Sequence, residues 1–298
     1  MRSAFFEELK KEMKRDESLF LLISDTGFNL VEPFFEEFPQ RTLNVGIAEQ
    51  NLIGIAAGLC NIGFRPICYA ISNFLIYRCL EQIRNDICLH NYKVVLVGTG
   101  TGFDYGGLGP THHVVDEIGC LKSLPNIEIY SPSGVQSMRK VFQEIVQSSK
   151  PAYVRIAKSS FSEEREPINL SRFIFQDNNS KVLVITHGKM VKNVTEAVKL
   201  FPCFSIFAMD KIKPLDELSL KDLFRHYTKI VIVEDNVKEA GLYDSICRYV
   251  IENKIGVRDL YSINTRGGYE QFIGDAAYLE DKHGLSPEKI SKFIQNLI

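Results

Sequence analysis

The chain lacks the features that would assign it to a membrane, a secretory route or a nucleic acid. None of the apolar runs in its 298 residues reaches the ~20 residues a helix needs to cross a bilayer. Its opening, MRSAFFEELKKEMKRDESLF, is charged throughout and has no apolar segment leading to a signal-peptide cleavage site. Excess charge is missing too. The net charge is -2 and the basic residues are dispersed, so neither a nucleic-acid groove nor an anionic membrane face is expected. Seven cysteines (Cys60, Cys68, Cys79, Cys88, Cys120, Cys203 and Cys247) contain no CxxC pair. Their odd number and apolar neighbours predict reduced, buried thiols in a cytoplasmic protein. Short repeats and low-complexity segments are absent. What remains is an ordinary globular composition, 45% hydrophobic and 24% charged, long enough for two cores.

Short apolar runs alternate with amphipathic stretches. LFLLISD, RPICYAI, YKVVLVGTG, NIEIYSPS and PAYVRIA read as strands. EQNLIGIAAGLCNIG, with Gly63 as its stop, NFLIYRCLEQIRNDICLHN and GVQSMRKVFQEIVQSS read as helices. This order predicts a parallel sheet with helices on both faces. Charge, Pro, Asn and Ser dominate Ser159–Asn179, which reads as a linker. Beyond it KVLVITHG, VTEAVKLF, CFSIFAM, TKIVIVED, LYDSICRYVIEN and RDLYSIN predict a second, smaller α/β unit. The fold class is therefore α/β, with two domains of mainly parallel sheet flanked by helices, placed at residues 1–165 and 166–298.

Three stretches could carry chemistry. In NVGIAEQNLIGIAAGL a single carboxylate, Glu49, precedes an apolar run. It is either a helix-start glutamate facing the macrodipole or a functional acid. The loop GTGTGFDYGGLGP is glycine-rich but neither opens into a helix nor carries a Walker lysine, so a ligand loop and a plain connection stay open. GPTHH follows. Adjacent histidines cannot share a helix face, which excludes a two-histidine helical zinc site and leaves one histidine in a cleft as the sharper option.

Taken in order, NVGIAEQNLIGIAAGL, SNFLIYRCLEQIRND, GLGPTHHVVDEIGCLKSLPNIEIYSPS, PAYVRIAKS and IVIVEDNVKEAGLYDSI resemble the second half of transketolase and of deoxyxylulose-phosphate synthase, from about Phe20 to the end. The resemblance implies a pyrimidine-binding domain followed by the transketolase C-terminal domain, and thiamine diphosphate as cofactor. The family's glutamate at the Glu49 position hydrogen-bonds N1′ of the aminopyrimidine and thereby activates C2 of the thiazolium. Small residues behind it (Gly54, Ala56, Ala57, Gly58) would let the helix pack closely. Ile47 matches a bulky residue under the bent cofactor, Phe74 and Tyr77 match aromatics flanking the pyrimidine, and Asp25 matches an acidic residue at the cofactor end of the pocket. His112 matches a histidine touching the donor sugar near its carbonyl, and Arg155 an arginine binding the sugar phosphate. Two departures put ordinary pentose-phosphate specificity in doubt: Leu108 stands where transketolases carry an aspartate, and Gly100 where they carry a histidine.

Full-length members begin with a domain whose GDG and downstream Asn bind Mg²⁺ and the diphosphate, and no such stretch occurs here. The resemblance thus implies the C-terminal subunit of a split transketolase. It would be a homodimer core in a heterotetramer with a separate N-terminal subunit that holds Mg²⁺, moving a two-carbon ketol unit from a ketose, expected as its phosphate, to an aldehyde. No metal ligands are assigned to this chain. The alternatives are a synthase-like subunit, a 2-oxo acid dehydrogenase β-type subunit and a non-catalytic scaffold. GPTHH and GCLKSLPN speak against the dehydrogenase, and retention of Glu49, Phe74 and His112 speaks against the scaffold.

Overall fold

The computed structural model describes residues 1–256 and 259–298, so Arg258 of the expected strand RDLYSIN lies outside the described residues. Among the described residues there are twelve strands: β1 Leu19–Ile23, β2 Thr42–Asn44, β3 Arg65–Ile71, β4 Val95–Thr99, β5 Glu128–Tyr130, β6 Ala152–Ile156, β7 Ser171–Phe175, β8 Val182–Thr186, β9 Ser205–Met209, β10 Lys211–Lys213, β11 Lys229–Val237 and β12 Asp259–Thr265. They form two sheets, ordered β10-β5-β6-β4-β3-β1-β2 and β12-β11-β8-β9-β7. All neighbours run parallel except β10 against β5 and β7 against β9. The two-domain, mainly parallel α/β class is as the sequence predicts.

The strands read as unbroken apolar runs because helices cover both faces of each sheet. Side chains alternate between two cores. Leu21, Ile67, Tyr69, Val95 and Val97 enter one, and Leu22, Cys68, Ala70 and Leu96 the other. The charged N-terminus folds as the helix Arg2–Met13, which buries Phe5, Phe6, Leu9 and Met13 on a single stripe and leaves its charges outside.

Two expectations need correcting. The stretch from Asn73 to Asn91 is not one helix. It runs as the helix Ser72–Ile76, the 3₁₀ turn Tyr77–Cys79, the short helix Leu80–Gln82 and the π-helical turn Ile83–Cys88. Irregular turns of this kind re-aim side chains. The supposed linker contains β7, whose alternating Phe173 and Phe175 mark an edge strand of the second sheet. Composition hid it, because flanking Glu, Pro and Asn outnumber a five-residue strand.

The units are joined by more than a tether. β10, which follows β9 in the chain, crosses to pair with β5 of the first sheet. Buried charges sit behind this junction. Arg155 of β6 pairs with Glu117 and with Asp235 of β11, and Lys189 pairs with Asp104 and Glu280. The thiols are unpaired. Cys68, Cys79 and Cys88 are buried as expected, whereas Cys203 is exposed. No helix of the described residues is long and apolar enough to cross a membrane.

Candidate active site

Ligands of parallel α/β sheets bind beyond the carboxyl ends of the strands. Almost every candidate residue lies there. Asp25 follows β1, Ile47 and Glu49 follow β2, Phe74 follows β3, and His112 ends the long loop after β4. These strands are neighbours in the sheet, so residues far apart in sequence share one rim.

Glu49 opens the helix Glu49–Asn61 and is only 3% exposed. A buried carboxylate needs a partner. Arg78 supplies it, with Nη1 donating to Oε2 at 2.8 Å. The same guanidinium lies over the Phe74 ring, 4.4 Å from its centroid. Phe74 in turn meets His112 edge-to-face at 5.2 Å, and His112 Nδ1 lies 3.0 Å from Thr111 Oγ1. Tyr105 comes next, at 6.4 Å from His112, and Lys158 Nζ sits 3.6 Å above its ring. Glu49, Phe74 and His112 are thus brought together in one run of side chains that ends at an exposed ammonium.

Asp25 is exposed at the adjoining rim with φ of 39°, its carboxylate accepting from Asn44 Nδ2 at 3.2 Å. Ile47 stands 78% exposed, an apolar side chain without cover. Tyr77 is not in this run of side chains. With Asn73 it lines a cavity that Phe74 and Arg78 do not, and its hydroxyl bonds Asp116. Burial and the nearby Glu117 and Asp116 charges hold that phenol far above its ordinary range.

Arg155 corrects the expectation outright. It is 1% exposed, inside β6 rather than past its end. Its Nη1 donates to Asp235 at 2.6 Å, Nε to Glu117, and Nη2 to the Val114 carbonyl at 3.2 Å, so three of its donors are taken and burial leaves no open side for a phosphate. Two cations were missed. Lys158 lies two residues beyond β6, where the strand-end rule would have found it. Arg78 was hidden because the helix was read as regular, and a regular helix does not announce which arginine turns inward.

The departures have physical causes. Gly100 has φ of +85°, and any Cβ there would run into the Tyr105 ring, so Tyr105 occupies the space a larger residue would need. Leu108 is 58% exposed at the turn before His112. Gly54 and Gly58 do not pack within the chain. Their missing Cβ positions face open space.

Two packed α/β units thus carry a buried glutamate, a stacked aromatic and a histidine at one strand-end rim. The chain belongs to the transketolase family: residues 1–163 match the model "Transketolase, pyrimidine binding domain" and residues 173–290 "Transketolase, C-terminal domain". This is a thiamine diphosphate-dependent family. The chain is 28% identical over 292 residues to an apulose-4-phosphate transketolase subunit of Actinobacillus succinogenes, covering 95% of this chain and 94% of that protein. It is 30% identical over 278 residues to 1-deoxy-D-xylulose-5-phosphate synthase of Dictyoglomus thermophilum, covering 89% of this chain but 44% of the synthase. Its fold matches a solved structure described as "Split gene transketolase, inactive beta4 tetramer", at a TM-score of 0.87 and 23% identity over 99% of this chain and 97% of that one.

Proposed function

We propose that the chain is the C-terminal subunit of a split transketolase-like enzyme, transferring a two-carbon ketol unit from a ketose, expected as its phosphate, to an aldehyde. One observation carries this reading: a planar guanidinium already rests on Phe74 while donating to Glu49. A stacking face beside a carboxyl group that can give a proton to a ring nitrogen and take it back is what an aminopyrimidine requires, so the residues present fit the family's cofactor. Glu49, as a carboxylic acid, would donate the hydrogen bond to the ring nitrogen, Phe74 would offer its face, and Ile47 and Asp25 would border the pocket. Tyr77 is left out of this set. When bound, thiamine diphosphate supplies the carbanion chemistry that breaks and makes the carbon–carbon bond. Glu49 would hold or release the proton at the ring nitrogen, and His112 would bond the donor near its carbonyl. The anionic end of a substrate would meet Lys158 rather than Arg155, since only Lys158 has room for it.

Near full-length similarity to a protein named as one subunit of a transketolase supports a separate N-terminal partner, on which the Mg²⁺ and diphosphate ligands are expected. The solved neighbour described as an inactive tetramer of a split-gene transketolase supports inactivity without that partner. Ile47, Phe28 and Leu43 are exposed and the helix that Glu49 opens leaves Gly54 and Gly58 uncovered, as a subunit interface near the pocket would require. A homodimer core within a heterotetramer follows, with the domain boundary at residues 165 and 166. Mixing the chain with a candidate partner should create cofactor binding and ketol transfer together. Robust transfer by the chain in a preparation free of partner would overturn the split-subunit reading. Synthase relatives keep a synthase-like reaction as the second reading, and a product formed from pyruvate would select it.

A further inference from the structure

A cavity of about 380 Å³ lies within the second domain, and none of its lining residues belongs to the Glu49 rim. One wall is a face of the helix Glu217–His226, on which Asp222, Leu223 and His226 fall three or four residues apart. The other is β7 and the turn after it, with Phe173, Asp177 and Lys181. β7 is the last strand of its sheet, so no further strand covers its outer side.

Three rings line this space. Phe173 meets Phe207 edge-to-face at 5.2 Å and Tyr227 at 6.3 Å. Phe207 and Tyr227 are buried, and the Tyr227 hydroxyl donates to Ser205 Oγ at 3.0 Å. Phe173 is left 36% exposed. Aromatic rings pack at centroid distances of about 4.5–7 Å, and the open side of Phe173 has room for one more. Charged groups of both signs stand around the rings. Lys181 and His226 are exposed and make no hydrogen bond or ion pair among the described residues. Asp177 accepts the Asn179 N–H on Oδ1 at 3.0 Å, and its Oδ2 has no partner among the described residues. Asp222 pairs with Arg225 at 3.2 Å on the surface, a contact that water already weakens. A phosphorylated ligand would bring up to two negative charges against these carboxylates. A zwitterion meets both signs. The space holds roughly a dozen water-sized groups at ~30 Å³ each, the size of an amino acid with a one- or two-ring side chain.

We propose that this cavity binds a free aromatic α-amino acid. Its ring lies against Phe173, its ammonium faces Asp177 and Asp222, and its carboxylate faces Lys181 and His226. The occupant would tie the edge strand β7 to the helix Glu217–His226 and stabilise the chain by mass action. The inference does not depend on ketol transfer, and its test needs neither partner nor thiamine diphosphate.

The test is calorimetric titration of the full chain with L-tryptophan and with L-phenylalanine. Tryptamine lacks the carboxylate, indole-3-propionate lacks the ammonium and L-leucine lacks the ring, so these three serve as control probes. At least one of the two aromatic amino acids should bind saturably, one per chain, and raise the melting temperature. The chain contains no tryptophan, so a change in emission of the added indole reads binding independently. The control probes should bind about tenfold or more weakly. Phe173→Ala, at a half-exposed edge position, should weaken binding about tenfold with the fold intact. Lys181→Ala, at an exposed position, should weaken it severalfold. Absence of saturable binding by either aromatic amino acid up to about 10 mM overturns the proposal. So does tryptamine or indole-3-propionate binding as tightly as tryptophan, and so does binding that both variants leave unchanged.

Discussion

The chain holds two arginine–carboxylate clusters built from the same chemistry and put to opposite uses. At the rim, Arg78 bonds Glu49 while its own side chain stays 44% exposed. At the junction, Arg155 bonds Glu117 and Asp235 with all three side chains at 0%. The first pair is open on one side, which the proposed function needs if a ring is to replace the guanidinium. The second is sealed by both domains, so its charges can only hold each other. Burial on every side, rather than residue type, separates a structural ion pair from a chemical one. A motif read along the sequence reports the residue type alone.

The largest effect should come from the open cluster. Glu49→Gln keeps size and a hydrogen-bonding group but removes the acid, so turnover of the reconstituted complex should fall by about 10³–10⁴-fold, the upper range for a lost acid–base group. Proton exchange at C2 of the bound cofactor should slow in parallel, while assembly is retained. If Glu49 were only a helix-start residue, the variant would turn over at near wild-type rate and the scaffold reading would gain.

Arg155→Ala attacks the sealed cluster. Two buried carboxylates would lose their common partner, which should cost about 3–5 kcal/mol of unfolding free energy. Urea denaturation of the purified chain measures it. Any remaining activity should fall equally for phosphorylated and unphosphorylated donors. A selective rise in KM for phosphorylated donors would restore the substrate role and break the comparison.

The same cluster predicts a pH dependence. Burial pushes the Glu117 carboxyl up to about 7 from an ordinary 4.5, the Arg155 charge opposing and the Asp235 charge adding to the rise. Asp235 stays low because Arg155 and Lys189 outweigh its own burial. The folded chain therefore binds a proton on Glu117 that the unfolded chain has released. The contribution is fully present below about 4.5 and is lost as pH rises through about 7. It should amount to roughly 1–3 kcal/mol across that window. Glu117→Gln should flatten the profile. A pH 5–8 stability profile that Glu117→Gln leaves unchanged would show that Glu117 is ionised throughout.

How much of this was legible in the sequence follows the same division. The strands were legible because sheets covered on both faces write continuous apolar runs, as in YKVVLVGTG. Glu49, Phe74 and His112 could be grouped in advance because their motifs follow β2, β3 and β4, which are neighbours in the sheet. Arg155 was misread because its role depends on Asp235, eighty residues later and in the other domain. Tyr77 stands in a 3₁₀ turn with its hydroxyl on Asp116, a placement that a regular-helix reading does not give. β7 was lost among polar neighbours.

The smallest effect tests what covers the open side. Gly54 and Gly58 lie within the helix Glu49–Asn61, where a new Cβ meets nothing within 4 Å. In a chain that remains alone, Gly58→Ala should raise stability by about 0.5–1 kcal/mol, because alanine loses less backbone freedom on folding and fits the helix. If this face packs against another helix in the proposed homodimer core, the close approach depends on both glycines. Gly58→Leu should then raise the dimer dissociation constant while leaving the melting temperature of the dilute monomer unchanged or higher. Sedimentation across a concentration series separates the two cases. A dimer that tolerates leucine at both positions would place the interface elsewhere, and the open side of the Glu49 cluster would have to be closed by the N-terminal partner alone.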